Sequence, residues 1–360
     1  MGTALLLSMG GACAAQPIAA APERSARMAP GSAAAATYGR RDDVLRLAFD
    51  LARTHELDPE WVASTLSQAR RVPAVMRLIM PAAPGQAKSW QAYRERFIEP
   101  RRIQAGLAFW DAHEPLLERV RQRFGVPPEL VVGIIGVETF YGKHRGGFRV
   151  LDALATLSLD FPTGRSDRSA FFRDELGHFL VWARREALAP TAVKGSYAGA
   201  IGLGQFMPGS ILRHAIDFDG DGHVDMGHSA ADVIGSIANF LVNHGWLAHE
   251  PTDFRVQSPT DPQQLAALLA PDIEPTFSAA QFAEHGARLD DGGSRYGGPM
   301  ALVELHNGNA SPSYVAGTRN FQVVTMYNRS AYYALAVIEL GRAVADRRAL
   351  RTVATGDAPR

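Results

Sequence analysis

The chain has 360 residues, 46% of them hydrophobic and 21% charged, with 37 basic side chains against 37 acidic ones. This is the composition of a folded protein with a sizeable core and two or three structural units, not of a disordered chain. Zero net charge offers no basic footprint for nucleic acid, and a single cysteine, Cys13, excludes an internal disulfide and a thiolate metal site.

The run Leu5 to Ala15 reads as the end of an export signal, with Ala12-Cys13-Ala14 fitting a small-x-small cleavage pattern. A lipoprotein processing site at Cys13 is the alternative, and it would tie the chain to the outer membrane. Gly10 stands where that site expects an aliphatic residue, and neither reading finds a Lys or Arg near Met1, which points to a start further upstream. Ala14 to Ala36, rich in Ala, Pro and Ser, reads as a flexible tether. No later segment is long and apolar enough to span a bilayer. The expected destination is the periplasm, either free or anchored at the outer membrane.

From Thr37 the pattern is helical. Val44, Leu45, Leu47, Ala48, Leu51 and Ala52 share one face, and Asp58-Pro59 caps and opens a second helix through Trp61, Val62 and Leu66. Ile103, Leu107, Trp110 and Leu117 mark a longer helix that Pro115 should kink or divide. Pro127-Pro128 opens another, in which Leu130, Val131, Ile134, Ile135 and Val137 recur at helical spacing and Gly142 is the expected stop. That spacing puts Glu138 in the last turn, where the helix dipole and apolar neighbours disfavour a charged carboxylate and raise its pKa. A carboxylic acid kept protonated near neutral pH is what a general acid requires. Alone, Glu138 fits a surface glutamate at a helix end equally well.

Lys194 to Pro208 is dense in glycine, which lets backbone approach a ligand, and Ser196 and Gln205 add neutral donors and acceptors suited to sugar hydroxyls and acetamido groups. A structural turn is the plainer alternative. Asp217-Phe218-Asp219-Gly220-Asp221-Gly222-His223 fits the first half of a Ca²⁺ loop, with the His223 carbonyl as a ligand. The closing Glu is absent: His228 occupies its position, and Asp232 could close a longer loop. The alternative is an Asp-rich solvent turn. Asp232 to His244 is an apolar-faced helix stopped near Gly245. Residues 251–317 turn rich in Pro, Gly, Asp and Ser, with a strand-like run from Met300 to Leu305, and read as a small β-containing insertion. Asn320 to Tyr327 is ambiguous between strand and helix, and Tyr327 with Asn328 fits either core packing or a sugar contact. Ser330 to Val344, carrying Tyr333, Val337 and Leu340, is a helix.

Taken together, VPPELVVGIIGVETFYG, LDALATLSLDFP, KGSYAGAIGLGQFMP, DFDGDGH and MYNRSAYYALAV resemble the lytic murein transglycosylase B family from about Leu45 to Leu340. The resemblance implies a mainly α (α+β) fold with a lysozyme-like helical core, a helical domain built from both chain ends, and a small inserted β domain. The expected division is a signal and tether at 1–36, a helical domain at 37–120 joined by a last helix at 330–348, a catalytic core at 121–250 plus 318–329, and the insertion at 251–317. Glu138 matches the family's catalytic acid. The expected substrate-binding residues are Ser196, Gln205, Tyr327, Tyr93, Phe240 and Asn320, Phe240 standing where the family usually has a tyrosine. Asp217, Asp219, Asp221, His223 and Asp232 match a structural Ca²⁺ site, although the loop runs one residue longer before Asp232. An insertion around Thr163 to Arg168 interrupts the family's basic pair, for which Arg165 or Arg168 could substitute.

The implied substrate is the β-1,4 bond from N-acetylmuramic acid to N-acetylglucosamine in peptidoglycan glycan strands, cut by a monomer to leave 1,6-anhydromuramoyl ends. Glycoside cleavage usually takes two carboxylates; the motifs offer one convincing candidate, and the family's route needs no second. The rivals are a goose-type lysozyme, which would add water to the same bond, a non-catalytic peptidoglycan-binding protein, and a Ca²⁺-regulated binding module.

Overall fold

A computed structural model describes residues 36–81 and 88–355; Cys13, the export signal and the tether up to residue 35 lie outside the described residues. Five helices come first: α1 (Asp42–Thr54), α2 (Pro59–Ser67), α3 (Pro73–Leu78), α4 (Trp90–Phe97) and α5 (Pro100–Phe124). The Asp58 side chain accepts the Trp61 amide at 2.7 Å, satisfying one of the donors that a helix start leaves open. Pro115 breaks α5 at a kink, as its missing amide requires. The helix runs through 25 residues with a kink at His113 (φ −123°, ψ 16°), just before the ring that removes an amide and crowds the preceding turn.

Helix α6 (Pro128–Thr139) buries every residue from Leu130 to Val137. It stops sooner than Gly142, because Phe140 and Tyr141 both take left-handed backbone (φ 50° and 56°). Next come β1 (Phe148–Arg149), α7 (Val150–Leu159), α8 (Ser169–Arg185) and β2 (Lys194–Gly195), the two short strands pairing antiparallel. Helices α9 (Pro208–His214) and α10 (Ala230–Asn243) flank the Asp-rich loop. Helix α10 begins ahead of Asp232 because the Ser229 side chain caps it at the Asp232 amide.

The segment after Trp246 supplies β3 (Asp253–Gln257), α11 (Pro262–Leu269), α12 (Ala279–Glu284), β4 (Arg288–Leu289), α13 (Asp291–Arg295), β5 (Ala301–Asn307) and β6 (Ala310–Gly317). Its strands form one antiparallel sheet in the order β4-β3-β6-β5, with Val303 opposite Val315. Leu268, Phe282, Ala287, Met300, Leu302 and Ala316 make a separate apolar cluster there. The ambiguous stretch resolves as helix α14 (Arg319–Asn328), opened by the Thr318 hydroxyl accepting the Asn320 amide at 3.1 Å. Helix α15 (Ala331–Thr355) ends the described chain.

The main apolar core runs from Tyr38 to Val344, so both ends of the described chain share it. Helix α15 meets α4 and α5, as a helical domain built from both ends requires, but its largest contact is with α6. Two glycines make that seam. A Cβ on Gly133 would lie 2.2 Å from the Val337 carbonyl oxygen, and one on Gly341 would lie 2.2 Å from the Glu129 carbonyl oxygen. The helices therefore touch backbone to backbone, which holds the end of α6 against the chain that carries Tyr333. Among the described residues no helix is long and apolar enough to cross a membrane.

Candidate active site

Glu138 is the penultimate residue of α6. The next residue fixes the helix end to the Gly-rich segment: the Thr139 hydroxyl donates to the Leu203 carbonyl at 2.9 Å and accepts the Gly142 amide at 3.1 Å. The Glu138 side chain is partly exposed, not bathed in solvent. Its Oε1 accepts the Tyr333 hydroxyl at 2.6 Å. Burial pushes the carboxyl up to about 7, and the Tyr333 bond pulls the other way because it favours the ionised form. Desolvation is thus what lifts this carboxyl out of the ordinary range.

Three tyrosines face it. The Tyr333 and Tyr327 rings lie nearly parallel, 8° apart with centroids at 6.1 Å, and the Tyr327 hydroxyl donates to the Gly204 carbonyl at 2.6 Å. Tyr93, packed beside Trp90 and Tyr332, is pushed up to about 12 by burial and then by the Glu138 charge. The sequence reading marked Tyr93 and Tyr327 for this place and took Tyr333 only for a core position of the last helix. The available signal was a hydroxyl on an otherwise apolar helix face, since a buried tyrosine usually finds a partner.

The Gly-rich segment folds on itself. The Ser196 hydroxyl accepts the amides of Ala198 at 3.3 Å and Ala200 at 3.0 Å. It therefore braces the turn and keeps its own proton to donate. Gln205, at φ 51°, donates its side-chain amide to the Gly202 carbonyl at 2.9 Å and the Arg145 carbonyl at 3.3 Å. These bonds use its nitrogen and not its oxygen.

Three of the expected site residues are buried and engaged within the protein. Asn320 is fully buried, its oxygen accepting the Leu247 amide and its nitrogen donating to the Leu247 and Glu250 carbonyls, each at 2.8 Å. With both of its polar atoms engaged it joins two chain segments. Phe240 is 7% exposed, stacked on His244 with centroids at 4.0 Å and set edge-on to Tyr327. It backs the tyrosine wall instead of presenting a face. Asp232 is also buried: one oxygen accepts the Phe218 amide and the other the Asp225 amide, both at 2.8 Å. It braces the Asp-rich loop from behind.

The remaining acids of that loop do converge. Carboxylate oxygens of Asp217, Asp219 and Asp221 lie within 4.8 Å of one another. The amides of Gly220 and Gly222 hold Asp217 at 2.6 and 2.8 Å and keep its pKa low. Three clustered oxygen donors on a loop fit a hard divalent cation such as Ca²⁺. His223 is exposed, and His228 turns its ring toward Asp225 at 3.2 Å. At the end of the loop stands Ser229, whose hydroxyl donates to Asp219 at 2.9 Å. The loop reaches the Glu138 region through Arg145, which donates to the Gly227 carbonyl at 3.0 Å and accepts from Gln205. Of the two candidate cations near Thr163, Arg165 bonds the Ile79 carbonyl and Arg168 lies 4.5 Å over the Phe171 ring.

The arrangement can deliver and take back one proton at a single carboxyl, beside neutral hydroxyl and amide groups. The family described as the transglycosylase SLT domain matches residues 41–342. The chain is 38% identical over 304 residues to the membrane-bound lytic murein transglycosylase B of Escherichia coli strain K12, covering 82% of this chain and 80% of that protein. Among solved structures, it is similar to the soluble lytic transglycosylase SltB1 of Pseudomonas aeruginosa, with 36% identity, 85% of this chain and 99% of that one covered, and a TM-score of 0.77. It is likewise similar to the Escherichia coli lytic transglycosylase Slt35 in complex with calcium, with 38% identity, 86% and 94% covered, and a TM-score of 0.74.

Proposed function

The chain belongs to the lytic murein transglycosylase B family, and we propose that in this lytic transglycosylase Glu138 is the single proton donor and acceptor. The bond cut is the β-1,4 link between N-acetylmuramic acid and N-acetylglucosamine. Protonated Glu138 gives its proton to the bridging oxygen as the bond to muramic C1 breaks. The resulting carboxylate then takes the proton of the muramic C6 hydroxyl as that oxygen bonds to C1. The products are a free N-acetylglucosamine 4-hydroxyl and a 1,6-anhydromuramoyl end; no water is consumed and Glu138 finishes protonated.

The observation that carries this reading is the Glu138 carboxyl, raised to about 7 by burial and held at one oxygen by Tyr333 at 2.6 Å. A group with that pKa can act as acid and then as base near neutral pH. Tyr333 fixes one carboxyl oxygen, which aims the other at the substrate. Ser196, Gln205, Tyr327 and Tyr93 are proposed to position the glycan, the first two by neutral hydrogen bonds and the tyrosines by flat faces with polar edges.

Asp217, Asp219, Asp221 and the His223 carbonyl are proposed to hold Ca²⁺, with Asp232 shaping the loop behind them. The ion would neutralise three clustered carboxylates and pin the loop between α9 and α10. We further propose export to the periplasm as a monomer, either free or anchored at the outer membrane through Cys13. Division of the chain at 37–120 with 330–348, 121–250 with 318–329, and 251–317 is supported for the last unit by its own apolar cluster.

Digestion of purified sacculi, followed by mass analysis of the muropeptides, tests the reaction. Anhydro ends are expected; hydrated reducing ends, one water heavier, would make the enzyme a hydrolase of the goose-type lysozyme kind. Glu138→Gln should fold normally and release nothing.

A further inference from the structure

The turn that ends the helix carrying Glu138 is held in a costly conformation by Arg102 and by the ring of Tyr141. Phe140 and Tyr141 are consecutive bulky residues at φ 50° and 56°. Left-handed backbone at such residues costs on the order of 1 kcal/mol or more each and persists only where the surroundings impose it. Two side chains impose it here. Arg102 of α5 donates to the Gly136 carbonyl at 2.8 Å, in the last turn of α6. Its guanidinium lies over Phe97 at 5.1 Å and over Phe140 at 4.5 Å, so it grips the helix end and the first reversed residue together.

Tyr141 supplies the second hold. Its ring enters a slot between α5 and α6 that exists because two helical positions lack side chains. A Cβ on Gly106 or on Gly136 would each lie 2.5 Å from the Tyr141 hydroxyl. Phe109 lines the slot, with ring centroids 5.5 Å from Tyr141. The chain therefore reverses at Phe140 and drives the next side chain back beneath the helix it has just left. Glu138 is two residues before the first reversed residue, so freedom at the turn becomes freedom of its carboxyl.

From this geometry we infer that Arg102 and Tyr141 are positioning residues for the transfer, a two-point clamp that sets where the Glu138 carboxyl points; the inference rests on Glu138 being the acid. The rigid ring in the slot and the planar guanidinium between two aromatic rings are what matter, more than the Tyr141 hydroxyl or the Arg102 charge alone.

The test is steady-state kinetics of the full-length enzyme on soluble glycan strands released from sacculi, with the pH dependence of kcat/KM and the folded fraction measured for each variant. Arg102→Met and Tyr141→Leu should lower kcat by roughly ten- to a hundredfold while KM stays within about twofold. The basic limb of the profile should move to lower pH, because a carboxyl that swings toward water regains ordinary acidity. The groups facing that carboxyl are Tyr333 from α15, Tyr327 from α14 and Tyr93 from α4, all raised above the ordinary tyrosine range, so the limb reports Glu138. Tyr141→Phe keeps the ring and should keep kcat. Arg102→Lys keeps the charge without the stacked plane and should be slow. If either truncation fails to fold, Gly106→Ala, which puts a methyl into the slot from a helical position, should show the same fall in kcat and the same displaced limb. Unchanged kcat and limb per folded molecule in these variants, with only Tm lowered, would overturn the clamp. Glu138→Gln run alongside separates the two ideas: activity in that variant defeats the acid assignment, whereas its inactivity with normal clamp variants defeats only the clamp.

Discussion

Glu138 and Tyr333 form the pair on which residue-scale behaviour turns. The Tyr333 hydroxyl stabilises the ionised carboxylate. Tyr333→Phe should therefore raise the Glu138 pKa above about 7 and move the basic limb of kcat/KM to higher pH, while kcat falls because one carboxyl oxygen loses its tether. A pH series on the purified variant reads both. The same raised pKa bears on stability. A carboxyl whose folded-state pKa lies above its unfolded value of 4.5 is favourable to folding while protonated and opposes it as pH rises from there through about 7. Glu138→Gln should then raise Tm at pH 8, by an amount equivalent to at most roughly 3 kcal/mol, and leave it unchanged near pH 4. Differential scanning calorimetry at the two pH values checks this. Glu138 itself is legible in the sequence, because a helix end and apolar neighbours are local facts. Tyr333 is not: its partner lies 195 positions away, and periodicity assigns it to a core. The partners of Asn320, 70 and 73 positions distant, are equally invisible in the sequence, where a polar residue near an aromatic one suggests a sugar contact.

At the scale of elements, the seam between α6 and α15 explains how a helix so thoroughly buried is still precisely held. Gly133→Ala would gain about 1 kcal/mol of helix propensity, yet its Cβ would meet a backbone carbonyl that cannot rotate away. The helices must separate, and a net loss of about 1–3 kcal/mol is expected from overpacking, together with lower activity as Tyr333 recedes from Glu138. Urea unfolding and an activity assay measure the two effects. Caps made several starts readable: Asp58 and the prolines at 59 and 128 lie where a helix opens. Ends and ambiguous runs were less so. The stop at Thr139 depends on a reversed turn imposed by α5, and Asn320 to Tyr327 becomes helical because Thr318 caps it and buried neighbours receive Phe321, Val323 and Val324. A short apolar run carries no such information by itself.

For the whole molecule, the Asp-rich loop is where an added ion would be felt. Arg145 links that loop to the Gln205 turn, and Thr139 links the same Gly-rich segment to the end of α6. Binding to the folded state alone raises stability by RT ln(1 + [L]/Kd), about 2.7 kcal/mol at a hundredfold excess over Kd. Millimolar Ca²⁺ should raise Tm in a concentration-dependent way, a chelator should reverse it, and Asp219→Asn should weaken the response in thermal scans. The mainly helical architecture with a small antiparallel sheet was readable as a family pattern, since five separated motifs in order constrain it more than any one segment does. The seating of the last helix on α6 was not, because nothing local says which of several apolar faces it will meet.

That seating has a consequence for how the enzyme comes into being. The hydroxyl that holds the Glu138 carboxyl lies on the last described helix, 195 positions after Glu138 in the order of synthesis. A polypeptide truncated before Tyr333 would carry Glu138 without that hydrogen bond, and on the proposed mechanism it should cut glycan strands poorly even where it folds.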